Sequence, residues 1–147
     1  MALKNSDERL RGWPVSVEIS VQWRDLDALN HVNHTVFLTW METSRMVYFE
    51  RCGMMDMMES KGIGPILAGI KADYSSPVKF PDTITVQTTM SRLGSSSFDM
   101  EYRIRSKSKG EIVAEGKAFG VMYDYGKGKS TPIPEELRES IIQLENS

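Results

Sequence analysis

Cysteine is nearly absent. Cys52 is the one thiol in 147 residues, so no disulfide can close within the chain, and a reducing compartment such as the cytoplasm is expected. Its place beside Gly53, at the end of a helical stretch, suits a small packed hydrophobe better than a reactive thiol. Long apolar runs are absent too. No stretch approaches the roughly 20 apolar residues that a membrane-spanning helix needs. The first fourteen residues, "MALKNSDERLRGWP", hold no apolar core of signal-peptide length. Nor is positive charge in excess: 18 Lys and Arg face 20 Asp and Glu, a formal net charge of −2. A general nucleic-acid binder needs a basic surface to neutralise phosphates, so that class is disfavoured. A local basic patch around one phosphorylated group is not.

Hydrophobic residues make up 40% of the chain and charged residues 26%, a soluble balance at the size of one domain. A single unit over 1–147 is expected, with its core at about 13–125 and a closing helix at about 133–145. Residues 1–12 are polar and expected to fray. From Val15 to Trp23 the apolar residues alternate, the period of a half-buried strand. From Thr35 to Arg51 they recur at three- and four-residue steps, the period of a helix, and Gly53 is placed to stop it. "MMDMMESKGIGP" reads as a connection with room for a short helical turn. Period two then returns at Ile66–Asp73, Ile84–Met90, Phe98–Arg105 and Ile112–Tyr125. "RLGSSS" and "SKSKG" read as hairpin turns, and "TPIPEELRESIIQL" as a helix opened by proline and glutamates. The order predicts an α+β fold in which a mostly antiparallel sheet wraps one long helix. A sheet edge left over invites a second copy.

Ionisable chemistry concentrates in "WRDLDALNHVNH", Trp23 to His34, where strand gives way to helix. Three functions suit such a junction. Asp25, Asp27, Asn30 or Asn33 can cap the helix by accepting from its free first-turn N–H groups, though one cap does not need four polar partners. Asp25, Asp27, His31 and His34 can bind a metal, but structural zinc in small proteins usually recruits cysteine, and the zinc-protease pattern is absent; no metal is expected. The third is carbonyl chemistry. A helix N-terminus suits a developing oxyanion, a nearby carboxylate can attack a carbonyl or activate water, and a histidine in the first turn can carry a proton.

"DLDALNHVN", the helix "HTVFLTWMETSRMVYFERCG" and the later "ADYSSPVKFPDTITVQTTMSRLGSSSFDMEYRI" resemble the hotdog-fold acyl-CoA thioesterases of the 4-hydroxybenzoyl-CoA thioesterase and YbgC-like family. The resemblance covers about Trp13 to Tyr125. It implies a hotdog fold, a five-stranded antiparallel sheet around one long helix, in dimers or a dimer of dimers with sites between subunits. It implies hydrolysis of an acyl thioester of coenzyme A or of acyl carrier protein, with no metal or redox cofactor. Asp27 matches the family's catalytic carboxylate. His34 matches a catalytic histidine, and its backbone N–H the donor that polarises the thioester. Asn33, Phe37, Trp40, Arg92, Ser95, Ser96 and Ser97 are the expected substrate-binding residues. Asp25 is expected to serve loop hydrogen bonding, and His31 packing or support of the site. Asn30 stands where many relatives have glycine; asparagine also tolerates a left-handed backbone. The "GSSS" hairpin lacks basic residues that some relatives use for phosphates, so Arg92, Lys71 or Lys79 would have to supply charge.

Met54, Met55, Met57 and Met58 suit adaptable core filling or the wall of an acyl pocket with Phe37 and Trp40. Glu42 and Arg45, three apart on the helix, read as a surface or interface ion pair, with Glu42 as a second catalytic acid the other option. "RIRSKSKGE" reads as a solvated hairpin. Two rival functions share the fold: hydration or dehydration of enoyl thioesters, and binding of acyl thioesters without catalysis. The first would want an Asn-Pro between its acid and histidine, and Asn30-His31 has no proline.

Overall fold

The structure, a computed structural model, describes residues 9–147. Five strands form one antiparallel sheet: β1 (Val15–Ser20), β2 (Ile63–Tyr74), β3 (Thr83–Leu93), β4 (Ser97–Ser106) and β5 (Glu111–Asp124). Their spatial order is β1-β3-β4-β5-β2, and a two-residue strand, β6 (Lys129–Ser130), adds to β5. Helix α1 (His34–Cys52) packs on one face of this sheet. The short helices α2 (Met54–Lys61) and α3 (Glu135–Glu145) complete the α+β architecture. The five expected strands and the long helix are all present.

The alternating pattern decides which face meets α1. Ile84, Val86, Thr88 and Met90 of β3 are fully buried, as are Met100 and Ile104 of β4. Opposite the large residues of β4, β5 places small ones: Phe98 pairs with Gly120, Met100 with Ala118, Tyr102 with Gly116 and Ile104 with Ala114. That pairing makes room for the helix. A Cβ at Gly116 would lie 2.6 Å from the Met41 sulfur of α1. Gly53 ends α1 in the left-handed conformation at φ 87°, as its position predicts, and serves directly as the N-cap of α2.

Three elements differ from expectation. β1 stops at Ser20, and Trp23–Asp25 make a 3-10 turn in which Trp23 is 72% exposed. The apolar alternation continues past the point where the chain leaves the sheet. The methionine-rich connection is a two-turn helix, α2, because Met54 and Met57 have core to pack against. Residues 9–12, expected to fray, are tied down: the Arg11 N–H donates to the Met90 carbonyl at 3.2 Å, and Leu10 is buried. Residues 1–8 lie outside the described residues.

That anchoring converges on the Glu145 carboxylate at the end of α3. It is buried and accepts from the Tyr48 hydroxyl at 2.5 Å, the Thr89 hydroxyl at 2.5 Å, the Met90 N–H at 2.9 Å and the Gly12 N–H at 2.8 Å. Gly12 is required here, since a Cβ would stand 1.8 Å from the Glu145 carbonyl oxygen. Burial, reinforced by the Glu145 charge, pushes the Tyr48 phenol far up, so it stays a neutral donor. Glu145→Ala leaves several buried donors unpaired and is expected to cost on the order of 3 kcal/mol. Glu139→Ala, on the same helix, should cost less than about 0.5 kcal/mol. Urea unfolding of both variants checks this.

Burial also pushes the Cys52 thiol up to about 11, as expected for a packed, inert side chain. A thiol whose pKa is raised by folding contributes stability that is present below its unfolded value, about 8.5. That contribution is lost as pH rises through about 11. Native protein should therefore resist alkylation at pH 8, react on unfolding in denaturant, and lose stability above about pH 8.5 by less in Cys52→Ala than in wild type.

Candidate active site

The junction after β1 is held as a compact loop. Leu26 and Val32 form an antiparallel bridge, the Asp27 N–H donates to the His31 carbonyl at 2.8 Å, and Asn30 takes a left-handed φ of 64°. Asparagine is tolerated in this conformation because its short polar side chain can hydrogen-bond locally. The Val32 N–H donates to the Val78 carbonyl at 2.8 Å, fastening this loop to the turn that follows β2.

Between the two lies a cleft of about 420 Å³, lined by Asp27, His31, His34, Phe37, Tyr74 and the 75–77 turn. One Asp27 carboxylate oxygen, Oδ1, accepts from the Leu29 N–H at 2.9 Å and from the His31 N–H at 3.4 Å. These contacts fix the carboxylate, and Oδ2 has no protein partner among the described residues. Asp25 is used differently: its Oδ2 accepts from the Gln22 N–H at 2.8 Å, closing the 3-10 turn.

Helix α1 begins at this cleft. Asn33 is its N-cap, with Oδ1 accepting from the Thr35 N–H at 3.0 Å and from the Thr35 hydroxyl at 3.0 Å. The Val36 N–H is taken by the Asn33 carbonyl at 2.9 Å. Among the described residues nothing accepts from the His34 N–H. A helix N-terminus with an uncommitted N–H, sharing one cleft with a carboxylate that has an uncommitted oxygen, is equipped to polarise a carbonyl and deliver a nucleophile to it.

The cleft thus brings together Asp27, His34 and Phe37. Trp40 lies behind Phe37, 5.1 Å away edge to face, and is buried; Asn33 is spent on capping. Arg92, Ser95, Ser96 and Ser97 lie elsewhere in the same chain. The cleft sits where Ser20, Thr83 and Tyr74 end or begin their strands, whereas the 94–96 turn joins the far ends of β3 and β4. There Arg92 donates twice to Asp99, at 3.0 Å each, and once to Ser97 at 2.9 Å. Lys71 is exposed and pairs with Asp73 at 3.6 Å.

Tyr74 escaped the sequence reading. Its hydroxyl donates to the His34 carbonyl at 3.2 Å, and its ring meets Phe37 at 5.2 Å and His34 at 6.2 Å, both edge to face. It closes the strand period of β2, but no local pattern says that this strand ends beside α1. Ser75 and Ser76 line the cleft from a segment legible only as a break.

The architecture and this cleft define the thioesterase-like superfamily of hotdog proteins. Its family model matches residues 21–141, and the chain belongs to that superfamily. A thioesterase from Thermus thermophilus, solved with coenzyme A and zinc, shares 36% identity and superposes with a TM-score of 0.81, covering 93% of this chain and 98% of that one. The long-chain acyl-CoA thioesterase FadM of Escherichia coli K12 is 25% identical over 130 residues, 88% of this chain and 98% of the relative. A DHNA-CoA thioesterase from Staphylococcus aureus, 20% identical, has the same fold with a TM-score of 0.78 over 89% of this chain and 90% of its own. Among the described residues no three His, Cys, Asp or Glu side chains gather as metal ligands. No described helix is long and apolar enough to cross a membrane.

Asn33→Ala removes the cap that sets the first turn of α1. It should lower stability by about 1 kcal/mol, readable as a fall in melting temperature.

Proposed function

We propose that the protein hydrolyses acyl thioesters of coenzyme A or of acyl carrier protein, releasing a carboxylic acid and a thiol. The observation that carries this is the meeting of the Asp27 carboxylate with the free first-turn N–H of α1 in one cleft. Family membership and the thioesterases named among the relatives support it.

The thioester oxygen is placed at the His34 N–H, where the positive end of α1 favours the developing oxyanion. Asp27 either adds to the carbonyl carbon, giving a mixed anhydride that water then opens, or takes a proton from a water that adds directly. In both courses the carbon–sulfur bond breaks as the tetrahedral adduct collapses. The thiolate then takes a proton, which the His34 imidazole can deliver. Protein groups and water suffice for this chemistry as proposed, and no metal or redox cofactor is invoked. Phe37 and Tyr74 form the apolar wall beside the reacting carbon, with Trp40 behind them.

The substrate's carrier is assigned to Arg92, Ser95, Ser96 and Ser97 of a second copy. β2 is an edge strand, with Ile66 and Leu67 exposed on it. Pairing β2 antiparallel with its own copy across a two-fold axis would satisfy its free backbone groups. It would also reverse the sheet end for end, bringing the copy's 94–97 turn toward this chain's Tyr74 and Asp27. The hydroxyls of Ser95 and Ser96 take no protein partner among the described residues and could donate to the carrier. A homodimer, or a dimer of two such dimers, is the proposed working unit over the whole chain, and the cytoplasm its proposed location.

A thiol-release screen over aliphatic and aromatic acyl-CoAs, repeated with acyl carrier protein substrates, tests the activity. Loss of an enoyl chromophore without thiol release would instead indicate hydration, and binding without release a non-catalytic protein. Asp27→Asn should lower kcat by about 10²-fold or more, with folding intact. Asp25→Asn should cost much less. His34→Ala should lower kcat more than it raises KM, and should retain some turnover because the backbone donor survives. Light scattering across the size-exclusion peak should give at least a dimer coinciding with activity; a fully active monomer would overturn the shared site.

A further inference from the structure

β2 ends in a residue that the proposed chemistry uses only as a wall. Tyr74 pairs with Ala114 of β5, and Ala114 with Ile104 of β4. Both of these are fully buried on the face that meets α1, so Tyr74 stands in the same cross-strand row. β2 is the edge of the sheet, so the row ends at Tyr74, and its side chain reaches the start of the helix. The backbone is held firmly at that point. The Ser75 and Ser76 N–H groups both donate to the Val113 carbonyl, at 2.9 and 3.3 Å.

His34 is the first residue of α1, and first-turn N–H groups have no partner within their own helix. The free N–H that suits His34 to an oxyanion also leaves its backbone held through the carbonyl alone. An oxyanion donor works only when it is fixed within hydrogen-bond distance of the place the oxyanion will occupy. Tyr74 supplies that fixation: its hydroxyl donates to the His34 carbonyl at 3.2 Å, using the lone pair that the helix leaves over. Folding does not need this bond. The entry to α1 is already set by the Val32 N–H on the Val78 carbonyl at 2.8 Å, the Asn33 N–H on the Asp25 carbonyl at 2.9 Å and the Asn33 cap on the Thr35 N–H at 3.0 Å. Tyr74 is also 44% exposed, and a hydroxyl that can reach water gains little net stability from a protein acceptor. Partial burial pushes its phenol up, so it stays a donor at neutral pH.

We propose that Tyr74 is a positioning residue for thioester hydrolysis, its hydroxyl holding the His34 backbone so that the N–H meets the developing oxyanion at a fixed place. The inference rests on the hydrolase reading. The ring serves the same end. It meets the His34 imidazole at 6.2 Å and Phe37 at 5.2 Å, both edge to face, so one side chain braces the donor, the proton carrier and the apolar wall. Tyr74 itself moves no proton and forms no bond to the reacting atoms.

Tyr74→Phe removes the hydroxyl and keeps the ring. With the substrate that wild type turns over fastest in the thiol-release screen, kcat should fall about 10-fold, less than a misplacement of about 1 Å can cost. KM should stay within about two-fold, because the wall is unchanged. In the His34→Ala background the same substitution should lower kcat by the same factor, since residue 34 keeps its carbonyl. A second readout needs no turnover. The chain has two histidines, so histidine labelled with carbon-13 at its carbonyl gives one NMR signal for each. In Tyr74→Phe the His34 signal should move upfield, the sign of a lost hydrogen bond. The His31 carbonyl accepts from the Asp27 N–H, and its signal should stay in place. An unmoved His34 signal, an unchanged kcat, a loss carried by KM, or a kcat effect that vanishes in His34→Ala overturns the proposal. Thiol release by wild type from no substrate at all overturns the hydrolase reading, and the proposal with it.

Discussion

The seating of α1 against β5 governs the rest of the molecule. Large residues on β4 face small ones on β5, and the Met41 sulfur lies only 2.6 Å from where a Cβ on Gly116 would be. Close packing of this kind tolerates little change in volume at the contact. It fixes the depth of the helix, and with that depth the position of both its ends. At the N-terminal end the first turn meets Tyr74 and the Asp27 loop. Near the other end, Tyr48 reaches the Glu145 carboxylate that gathers β3, α3 and the segment before β1. Where β5 stays small beyond the helix, an apolar cavity opens.

Much of this was legible from the order of residues. Period two marked each strand from β1 to β5, and the three- and four-residue steps marked α1 with its stop at Gly53. Backbone chemistry explains why: half-buried strands and one-faced helices impose those periods on their side chains. Failures came where tertiary contact overrides local pattern. Trp23 continues the alternation of β1, yet the chain has already turned and its indole lies in solvent against Phe80. Met54 to Lys61 become a helix through packing. The expected Glu42–Arg45 ion pair is present at 4.0 Å, but the Arg45 side chain is more buried than its type suggests because Tyr102 on β4 offers it an acceptor.

The cleft was legible in one half only. The acid and histidine lie within eight residues of each other along the chain, at a junction that any sequence pattern exposes. Tyr74, Ser75 and Ser76 arrive from 40 residues further on, through the pairing of β2 with β5. No local feature encodes that register. The same holds for the 94–97 turn. Its serines and Arg92 were expected at the site through the family resemblance, and within one chain the sheet carries them to its opposite end.

Helix α1 also has a metric consequence. His34 opens its first turn and Tyr48 follows fourteen residues later, about 21 Å along a regular helix axis. A rigid helix tied to Tyr74 at one mark and to Glu145 at the other is a ruler. The two anchorages must stay one fixed length apart, and inserting or deleting a turn of α1 would reset that length by about 5 Å and leave one of them without its partner.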